Sequence, residues 1–367
     1  MAVDADRLYM ARALELAQRG AGFTAPNPLV GAVIVCNGVV VGEGYHSRAG
    51  GDHAEIVALR KAGTRAKGAT LYVSLEPCCH VGRTGPCTSA IIASSIDRVV
   101  LAVKDPDPRV NGHGARILSK AGIMVEKGVL ADESVQLNEG YFSFHLRQRP
   151  FVTLKTAQSL DGRIATAEGD SKWISSPESL KLAHKLRSAA DAVIVGMGTV
   201  QQDNPALTVR LVKGRNPYRI VVSRSLEFPR NCQLLKNNGD GKTIVASSKE
   251  AIRRFLKKGK TQSVTCWEID LNREGQIDLR DLVKKAGTFG LRSLLVEGGA
   301  RIATALLKAD LVDKYIVVIA PMVIGTGISS VHDLGVRKLS GAMTFSRTRF
   351  EPCGRDQLFV GYLAEGA

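Results

Sequence analysis

The chain has 367 residues, a length that favours two domains over a single core. Its seven cysteines do not suggest a disulfide framework in a chain of this size, and no apolar run approaches the roughly 18 residues that a membrane-spanning helix needs. The first residues, MAVDAD, lack the basic and apolar regions of a secretory signal. We therefore expect a cytoplasmic protein without a membrane partner.

The formal net charge of +15 would, taken alone, suggest a nucleic-acid partner. The distribution of the charge along the chain argues against that class of protein. Residues 1–146 hold 15 basic and 14 acidic side chains, whereas residues 147–367 hold 35 and 21. The basic excess lies in the second half, where an anionic small-molecule substrate or cofactor explains it better than a nucleic-acid strand.

In the first half, short β-branched runs alternate with helical patterns, which predicts a three-layer α/β domain. A helix at residues 8–19 precedes a hairpin of strands 31–36 and 39–43, which turns at Asn37-Gly38. The later helices are expected at residues 53–62, 88–94, 114–121 and 138–146, and the later strands at residues 70–74, 98–103 and 124–127. A basic linker at residues 147–150 then predicts domains at residues 1–146 and 147–367.

From residue 151 a second α/β series begins. Its strands are expected at residues 151–156, 192–195, 218–222, 243–246, 263–268, 293–297 and 314–320, and its helices at residues 177–189, 249–258, 279–286 and 301–309. Residues 345–351 and 358–362 predict a final antiparallel pair. Strands that alternate with helices indicate a mostly parallel sheet, whose ligands bind at the carboxyl ends of the strands.

A group of metal-binding residue types lies in the first half. His53 and Glu55 form an H-x-E motif, and Pro-Cys pairs follow at Cys78 and Cys87. One imidazole and two thiolates are ligands that Zn²⁺ prefers, and three protein ligands leave a fourth position open, as catalytic zinc sites do. Glu55 is not needed as a ligand and is free to carry protons. This arrangement is typical of zinc deaminases, which activate water to attack a ring carbon that bears an amino group.

Each part of this motif also has a structural interpretation. Asp52 and Glu55 fit a helix capping box, and Cys78, Cys79 and Cys87 fit small buried hydrophobic residues. The order of the parts favours zinc: H-x-E opens a helix, a strand follows, and a second Pro-Cys opens another helix, whose N-terminus favours a thiolate.

The spacing of the two cysteines differs from that of nucleic-acid deaminases. Eight residues separate Cys78 from Cys87, where two are usual. The insert at residues 79–86 is rich in turn residues and carries His80 and Arg83. Such a loop could close on a substrate and hold a phosphate, or it could be an ordinary solvated loop. The spacing favours a small phosphorylated substrate.

Two glycine-containing turns follow predicted strands of the second half, GMGT at residues 196–199 and EGGA at residues 297–300. Glycines at such turns let phosphate oxygens approach backbone N–H groups. Neither turn matches the full G-x-G-x-x-G fingerprint, so tight turns without a ligand remain an alternative. Two turns in one sheet, together with the basic excess, predict a dinucleotide and favour NADP.

Charged side chains of the second half suggest a site near these turns. Lys155 lies within an apolar strand pattern and would be costly to bury without a partner. Glu297, at another strand end, is a candidate partner, as a structural ion pair or in catalysis. Residues 201–210 predict a loop in which Arg210 could clamp a phosphate.

Longer motifs run through both halves. They are PNPLVG (26–31), GEGYH (42–46), HAE (53–55), LEPCCHVGRTGPC (75–87), LK (154–155), SLDGR (159–163), WI (173–174), DNPALTVR (203–210) and VEGG (296–299). On these motifs the whole chain resembles the family of bifunctional riboflavin biosynthesis deaminase–reductases. The resemblance implies a cytidine-deaminase-like three-layer α/β/α domain and a dihydrofolate-reductase-like α/β domain.

The resemblance also implies two successive reactions. The first is zinc-dependent hydrolytic deamination of 2,5-diamino-6-ribosylaminopyrimidinone 5′-phosphate. The second is NADPH-dependent reduction of the ribosyl group to ribityl, which gives 5-amino-6-ribitylaminouracil 5′-phosphate. A homo-oligomer, either a dimer or a tetramer, is expected.

The resemblance assigns roles residue by residue. In the deaminase half it implies zinc ligands His53, Cys78 and Cys87, proton shuttle Glu55, and substrate contacts Asn27, His46, His80 and Arg83. In the reductase half it implies Lys155 and Glu297 beside the reacting ribose, further substrate contacts Ser171, Arg187, Leu207 and Arg210, with the two arginines at the phosphate, and NADP contacts Ala157, Trp173, Thr199, Asp203, Ser223, Gly299, Ala300 and Arg301.

Two departures from the family pattern stand out. Gly85 replaces the first proline of the usual Pro-Pro-Cys, which loosens the loop and keeps Cys87. Ser223-Arg224 stands where the family usually has an Asp, which bears on the adenosine side of NADP. An alternative is therefore a monofunctional deaminase whose reductase-like half is an inert binding or dimerisation module.

Overall fold

The computed structural model describes residues 2–81, 85–259 and 264–364. The chain divides into two compact units, Met1–Gln148 and Arg149–Ala367. In the part of the chain that the structure describes, no helix combines the length and apolar character that crossing a membrane requires.

The first unit is built on a five-stranded mixed sheet in the order β2-β1-β3-β4-β5. The strands are β1 (Gly31–Cys36), β2 (Val39–Tyr45), β3 (Thr70–Val73), β4 (Arg98–Leu101) and β5 (Met124–Lys127). The helices are α1 (Ala2–Gln18), α2 (Ala54–Ala62), α3 (Cys87–Ala93), α4 (His113–Lys120), α5 (Ala131–Leu137) and α6 (Glu139–Arg147). β1 is antiparallel to β2 and β3, and β3, β4 and β5 are parallel.

Alternate residues of a strand point to opposite sides of a sheet, and β1 is buried on both sides. Ala32 and Ile34 of β1 join an apolar cluster with residues of α2, α3 and α4. Val33 and Val35 join a second cluster with residues of α1. The predicted three-layer arrangement is confirmed.

The helix predicted at residues 138–146 is confirmed as α6, which begins one residue later, and α5 before it was not predicted. The structure has two helices, α5 and α6, with Asn138 between them. The Asn138 side chain is 4 % exposed, accepts a hydrogen bond from the Leu29 N–H (2.7 Å) and donates one to the Leu29 carbonyl (3.0 Å). Its amide serves a distant loop, which explains why the helical pattern is interrupted there.

The second unit is built on a nine-stranded sheet in the order β11-β10-β9-β8-β12-β6-β13-β16-β15. Its strands are β6 (Phe151–Ser159), β8 (Ala192–Gly196), β9 (Tyr218–Val222), β10 (Thr243–Ser247), β11 (Thr265–Glu268), β12 (Ser293–Val296), β13 (Lys314–Ala320), β15 (Phe345–Cys353) and β16 (Asp356–Leu363). The first seven strands of this list pair in parallel, and β16 pairs antiparallel with β13 and β15. The mostly parallel sheet and the antiparallel end pair are confirmed.

Helices cover both faces of this sheet. They are α7 (Pro177–Ala189), α8 (Met197–Asp203), α9 (Gln233–Lys236), α10 (Lys249–Lys257), α11 (Leu279–Thr288) and α12 (Ala300–Lys308). Along β8, Ala192 and Ile194 pack with α11 and α12, and Val193 and Val195 pack with α10. A separate two-stranded sheet joins β7 (Arg163–Thr166) to β14 (Gly327–Ser329), and neither strand was predicted.

The loop prediction for residues 201–210 is wrong in its first part, because α8 runs through Asp203. The helix ends at Asn204, whose φ of 43° is left-handed, a conformation that asparagine tolerates better than most residues. The remainder, from Pro205 to Arg210, contains no helix or strand.

Candidate active sites

Three distant residues of the first unit converge on one point. His53 Nδ1 lies 3.2 Å from Cys87 Sγ and 3.5 Å from Cys78 Sγ. One ligand atom from each side chain lies within 4.8 Å of the other two. His53 immediately precedes α2, Cys87 is the first residue of α3, and Cys78 follows β3.

The backbone before α2 leaves the His53 ring available. His53 occupies the N-cap position in an extended conformation, and its side chain makes no capping hydrogen bond. The Asp52 carboxylate binds Arg60 (2.6 Å). The capping-box interpretation of Asp52 and Glu55 is therefore wrong.

The electrostatics of the cluster lower the pKa of one thiol and raise the pKa of a buried carboxyl. The hydrogen bond from the Cys87 side chain lowers the pKa of Cys78, to which the Cys87 backbone N–H also donates (3.4 Å). Burial, and then the negative charge of Cys78, raise the pKa of Glu55, whose side chain is 3 % exposed at the start of α2. Two sulfurs and an imidazole nitrogen at one point are a donor set that fits Zn²⁺.

A second histidine packs beside this cluster. The His46 ring is 2 % exposed and meets His53 edge to face, with ring centroids 5.5 Å apart. Its Nδ1 donates to the Asp52 carbonyl (3.0 Å), so its Nε2 accepts from the Asn27 amide (3.1 Å). Burial lowers the pKa of His46.

The loop between the two cysteines is described in part. His80 Nδ1 is buried and has no hydrogen-bond partner among the described residues. Arg83, the other predicted phosphate contact, lies outside the described residues.

The sequence prediction missed one buried carboxylate near the cysteines. Glu76 is 3 % exposed and accepts hydrogen bonds from the N–H groups of Asp105 (3.2 Å), Gly112 (2.8 Å) and Ala115 (2.9 Å). It stands two positions before Cys78, so it holds the ligand segment against the loop before α4. A charged residue within the apolar run before Pro77 was the available signal.

The second unit contains an open cleft of about 1970 Å³. The cleft is lined by all residues that the resemblance assigns to the reductase: Lys155, Ala157, Ser171, Trp173, Arg187, Thr199, Asp203, Leu207, Arg210, Ser223, Glu297, Gly299, Ala300 and Arg301.

The two glycine-containing turns meet in this cleft. They follow β8 and β12, which are neighbours in the sheet, and the Gly299 N–H donates to the Thr199 hydroxyl (3.1 Å). A Cβ atom at Gly298 would lie 2.0 Å from Ile302 Cγ2, so this position has no room for a side chain. The close approach of two glycine-containing turns at helix N-termini fits the predicted dinucleotide.

Glu297 forms an ion pair with Arg187 and not with Lys155, the partner considered from the sequence. Arg187 Nε lies 3.1 and 3.0 Å from the two Glu297 carboxylate oxygens, and its terminal nitrogen is 2.5 Å from one of them. Among the described residues, the Lys155 ammonium has no hydrogen bond or ion pair. Burial lowers the pKa of Lys155, and the charge of Glu297 opposes that effect.

Ser223 and Arg224 take separate positions at the end of β9. The Ser223 hydroxyl accepts hydrogen bonds from the N–H groups of Ser225 (3.2 Å) and Leu226 (2.9 Å), so it organises the turn. Arg224 is exposed and lines the cleft.

His184 of α7 is a cleft residue that the sequence prediction missed. Its side chain is buried, and its Nδ1 accepts a hydrogen bond from the Arg210 backbone N–H (2.9 Å). Burial, and then Arg187 and Arg210, lower its pKa. His184 lies three residues before Arg187 on one helix face, and that spacing was the available signal.

A unit with a metal-ligand set of the deaminase type, joined to an α/β unit with a dinucleotide-sized cleft, defines a two-domain enzyme. Residues 3–103 match the cytidine and deoxycytidylate deaminase zinc-binding region, and residues 150–359 match the RibD C-terminal domain. The chain belongs to the RibD family of bifunctional riboflavin biosynthesis enzymes, which combine a deaminase with a reductase.

Relatives match over nearly their full length. The riboflavin biosynthesis protein RibD of Aquifex aeolicus is 45 % identical over 352 residues, which cover 96 % of each chain. That of Escherichia coli is 41 % identical, covering 96 % of this chain and 97 % of its own. The solved structure of Acinetobacter baumannii RibD matches with a TM-score of 0.88 at 34 % identity, covering 99 % of this chain and 100 % of its own.

Proposed function

We propose that one Zn²⁺ ion held by His53, Cys78 and Cys87 serves the deaminase and that NADPH serves the reductase. The convergence of the three ligand atoms within 4.8 Å is the observation that carries the first assignment. The meeting of the glycine-containing turns supports the second.

In the deaminase, Zn²⁺ supplies a Lewis acid that makes water a nucleophile near neutral pH. Glu55 would take a proton from the attacking water and deliver it to the exocyclic amino nitrogen, which leaves as ammonia. Its burial suits both steps, because a raised pKa lets the carboxyl hold a proton between them. The Asn27 amide, fixed by His46, orients the pyrimidine. His80 and Arg83 contact the ribose phosphate, and the unpartnered Nδ1 of His80 supports its part.

In the reductase, NADPH supplies the hydride. We propose that its phosphates contact the turns at Thr199 and residues 299–301, with Ala157, Trp173, Asp203 and Ser223 along the rest of the cofactor. Arg224, exposed at the cleft, is placed to favour the 2′-phosphate of the cofactor.

The other residues predicted for this cleft contact the substrate. Lys155 and Glu297 flank the ribose carbon that is reduced, and Ser171 and Leu207 line its approach. Arg187 and Arg210 receive the phosphate, because a planar guanidinium binds phosphate oxygens through two parallel hydrogen bonds.

A coupled assay on the diaminopyrimidine nucleotide tests this function. Ammonia and NADP⁺ are expected in equal amounts, with about one zinc per chain in the same sample. Ammonia without NADP⁺ would instead support the monofunctional alternative, which the Ser223-Arg224 replacement motivates. Full activity in zinc-free protein would contradict the metal assignment.

We also propose that the protein is a homo-oligomer, either a dimer or a tetramer, in the cytoplasm. The family resemblance supports both expectations. Sedimentation analysis of the full-length chain measures the first.

A further inference from the structure

The ion pair between Arg187 and Glu297 occupies two groups that the reductase reaction needs apart. The two side chains are 15 % and 9 % exposed, and the guanidinium meets both carboxylate oxygens. Arg187 is assigned to the substrate phosphate and Glu297 to the ribose. In the observed arrangement, each blocks the role of the other.

The surrounding charges favour a change of partners. Lys155, Arg187 and Arg210 line the cleft together with Glu297. Glu297 pairs with Arg187 and is the carboxylate that most affects the pKa of Lys155. His184 adds no charge, because its Nδ1 accepts the Arg210 N–H. The excess of cations fits a phosphate monoester, which carries close to two negative charges near neutral pH.

A carboxylate behind this region does not balance the excess. Asp356 is fully buried, and one of its oxygens accepts from the Ser176 N–H (2.7 Å) and the Ser179 hydroxyl (2.6 Å). It does not line the cleft. Of the two carboxylates that act on the pKa of Lys155, Glu297 is the one that lines the cleft.

We infer that the substrate's 5′-phosphate activates the reductase by displacing Glu297 from Arg187. The phosphate is the stronger competitor for a guanidinium, because it carries more charge and more acceptor oxygens than a carboxylate. The released Glu297 turns to the ribose and to the half-buried Lys155, which has no hydrogen bond or ion pair among the described residues. This inference rests on the proposed reductase function and extends it.

The inference has a kinetic consequence. An interaction that only anchors the substrate changes KM, whereas one that assembles the reacting groups changes kcat. The phosphate should therefore contribute to kcat for reduction, although it lies away from the carbon that is reduced.

The experiment compares the deaminated phosphorylated substrate with its dephosphorylated riboside, on the full-length protein with saturating NADPH. We expect kcat for the riboside to be lower by on the order of tenfold or more. Phosphite dianion added as a separate molecule should restore much of that loss, and inorganic phosphate should act in the same direction.

Two variants identify the receiver of the phosphate. Arg187→Gln should reduce the riboside faster than the wild type does without phosphite, because glutamine does not hold Glu297 by charge. Phosphite should then have no effect. Lys308→Gln is the matched control, since it removes an exposed cation from the same cleft outside this cluster. It should keep the wild-type activation by phosphite, and a thermal unfolding transition like that of the wild type shows that each variant is folded.

The outcomes separate this inference from the function beneath it. Equal kcat for the two substrates, or equal phosphite activation in Arg187→Gln and wild type, would overturn the inference and leave the reductase assignment standing. No NADPH oxidation with the phosphorylated substrate would overturn both.

Discussion

The two sites of this protein are organised in opposite ways. In the first unit, the groups that we propose to contact the substrate are fixed by hydrogen bonds, such as those of His46 to Asn27 and to the Asp52 carbonyl. In the second, Arg187 and Glu297 neutralise each other. A metal site needs ligands held in one geometry, whereas a site for a charged substrate can keep its groups paired until the substrate replaces one partner.

The largest effect is expected from a variant that removes one of the proposed zinc ligands. Cys87→Ala should abolish both zinc binding and ammonia release, because a site with two protein ligands binds zinc weakly. Reduction of pre-deaminated substrate should survive, since the reductase groups all lie in the other compact unit. Metal analysis and the two activity assays measure this. Cys79→Ala is the matched control and should keep its zinc; equal loss in both variants would contradict the ligand assignment.

Glu55→Gln tests proton transfer with the site left in place. Ammonia release should fall by on the order of a thousandfold, because glutamine cannot carry a proton. Zinc content and NADPH-dependent reduction should not change. Deamination at the wild-type rate in this variant would show that another group moves the proton.

Glu297→Ala tests the paired site. We expect reduction to fall by on the order of a hundredfold, while deamination continues, because the variant lacks the carboxylate that we propose to lie beside the reacting ribose. Glu274→Ala removes an exposed carboxylate from the same cleft and serves as the control. If both variants reduce the substrate equally well, Glu297 has a structural role only.

A smaller effect is expected at His184, which joins α7 to the Arg210 backbone. His184→Leu should raise KM for the phosphorylated substrate roughly fivefold, the worth of about one hydrogen bond. His184→Asn places an acceptor near the position of Nδ1 and should recover part of that loss. KM for the riboside should respond less, because Arg210 has no phosphate to bind there. Equal effects on both substrates would indicate general disruption of the cleft.

The smallest effect is a pH dependence of stability at the same residue. The pKa of His184 is lowered in the folded protein, so the unfolded chain binds the proton more readily. The stabilising contribution of the neutral ring is complete above about pH 6.5, the ordinary pKa, and is lost as the pH falls below it. The difference in unfolding free energy between wild type and His184→Asn should narrow in that range. A constant difference would show that the ring does not titrate there.

The sequence predicted which residues form each site better than it predicted which of those residues pair with each other. The residues around His53 and the two glycine-containing turns are short motifs whose chemistry depends on residue type and order. The pairing of Arg187 with Glu297 joins residues 110 positions apart, and a sequence offers three cations near one carboxylate without ranking them. The last turn of α8 was predicted as a loop because its residues Gln201 to Asp203 are polar, although the helix begins at the glycine-containing turn before them.

The two hydrogen bonds between the Asn138 side chain and the Leu29 backbone set a lower limit on the size of an active deaminase fragment. That single amide fixes the backbone two positions after Asn27, the residue that we propose to contact the pyrimidine. The match to the deaminase zinc-binding region stops at residue 103. Truncation at that point would keep every zinc ligand and release the segment that orients the ring. An isolated catalytic fragment should therefore extend through α6.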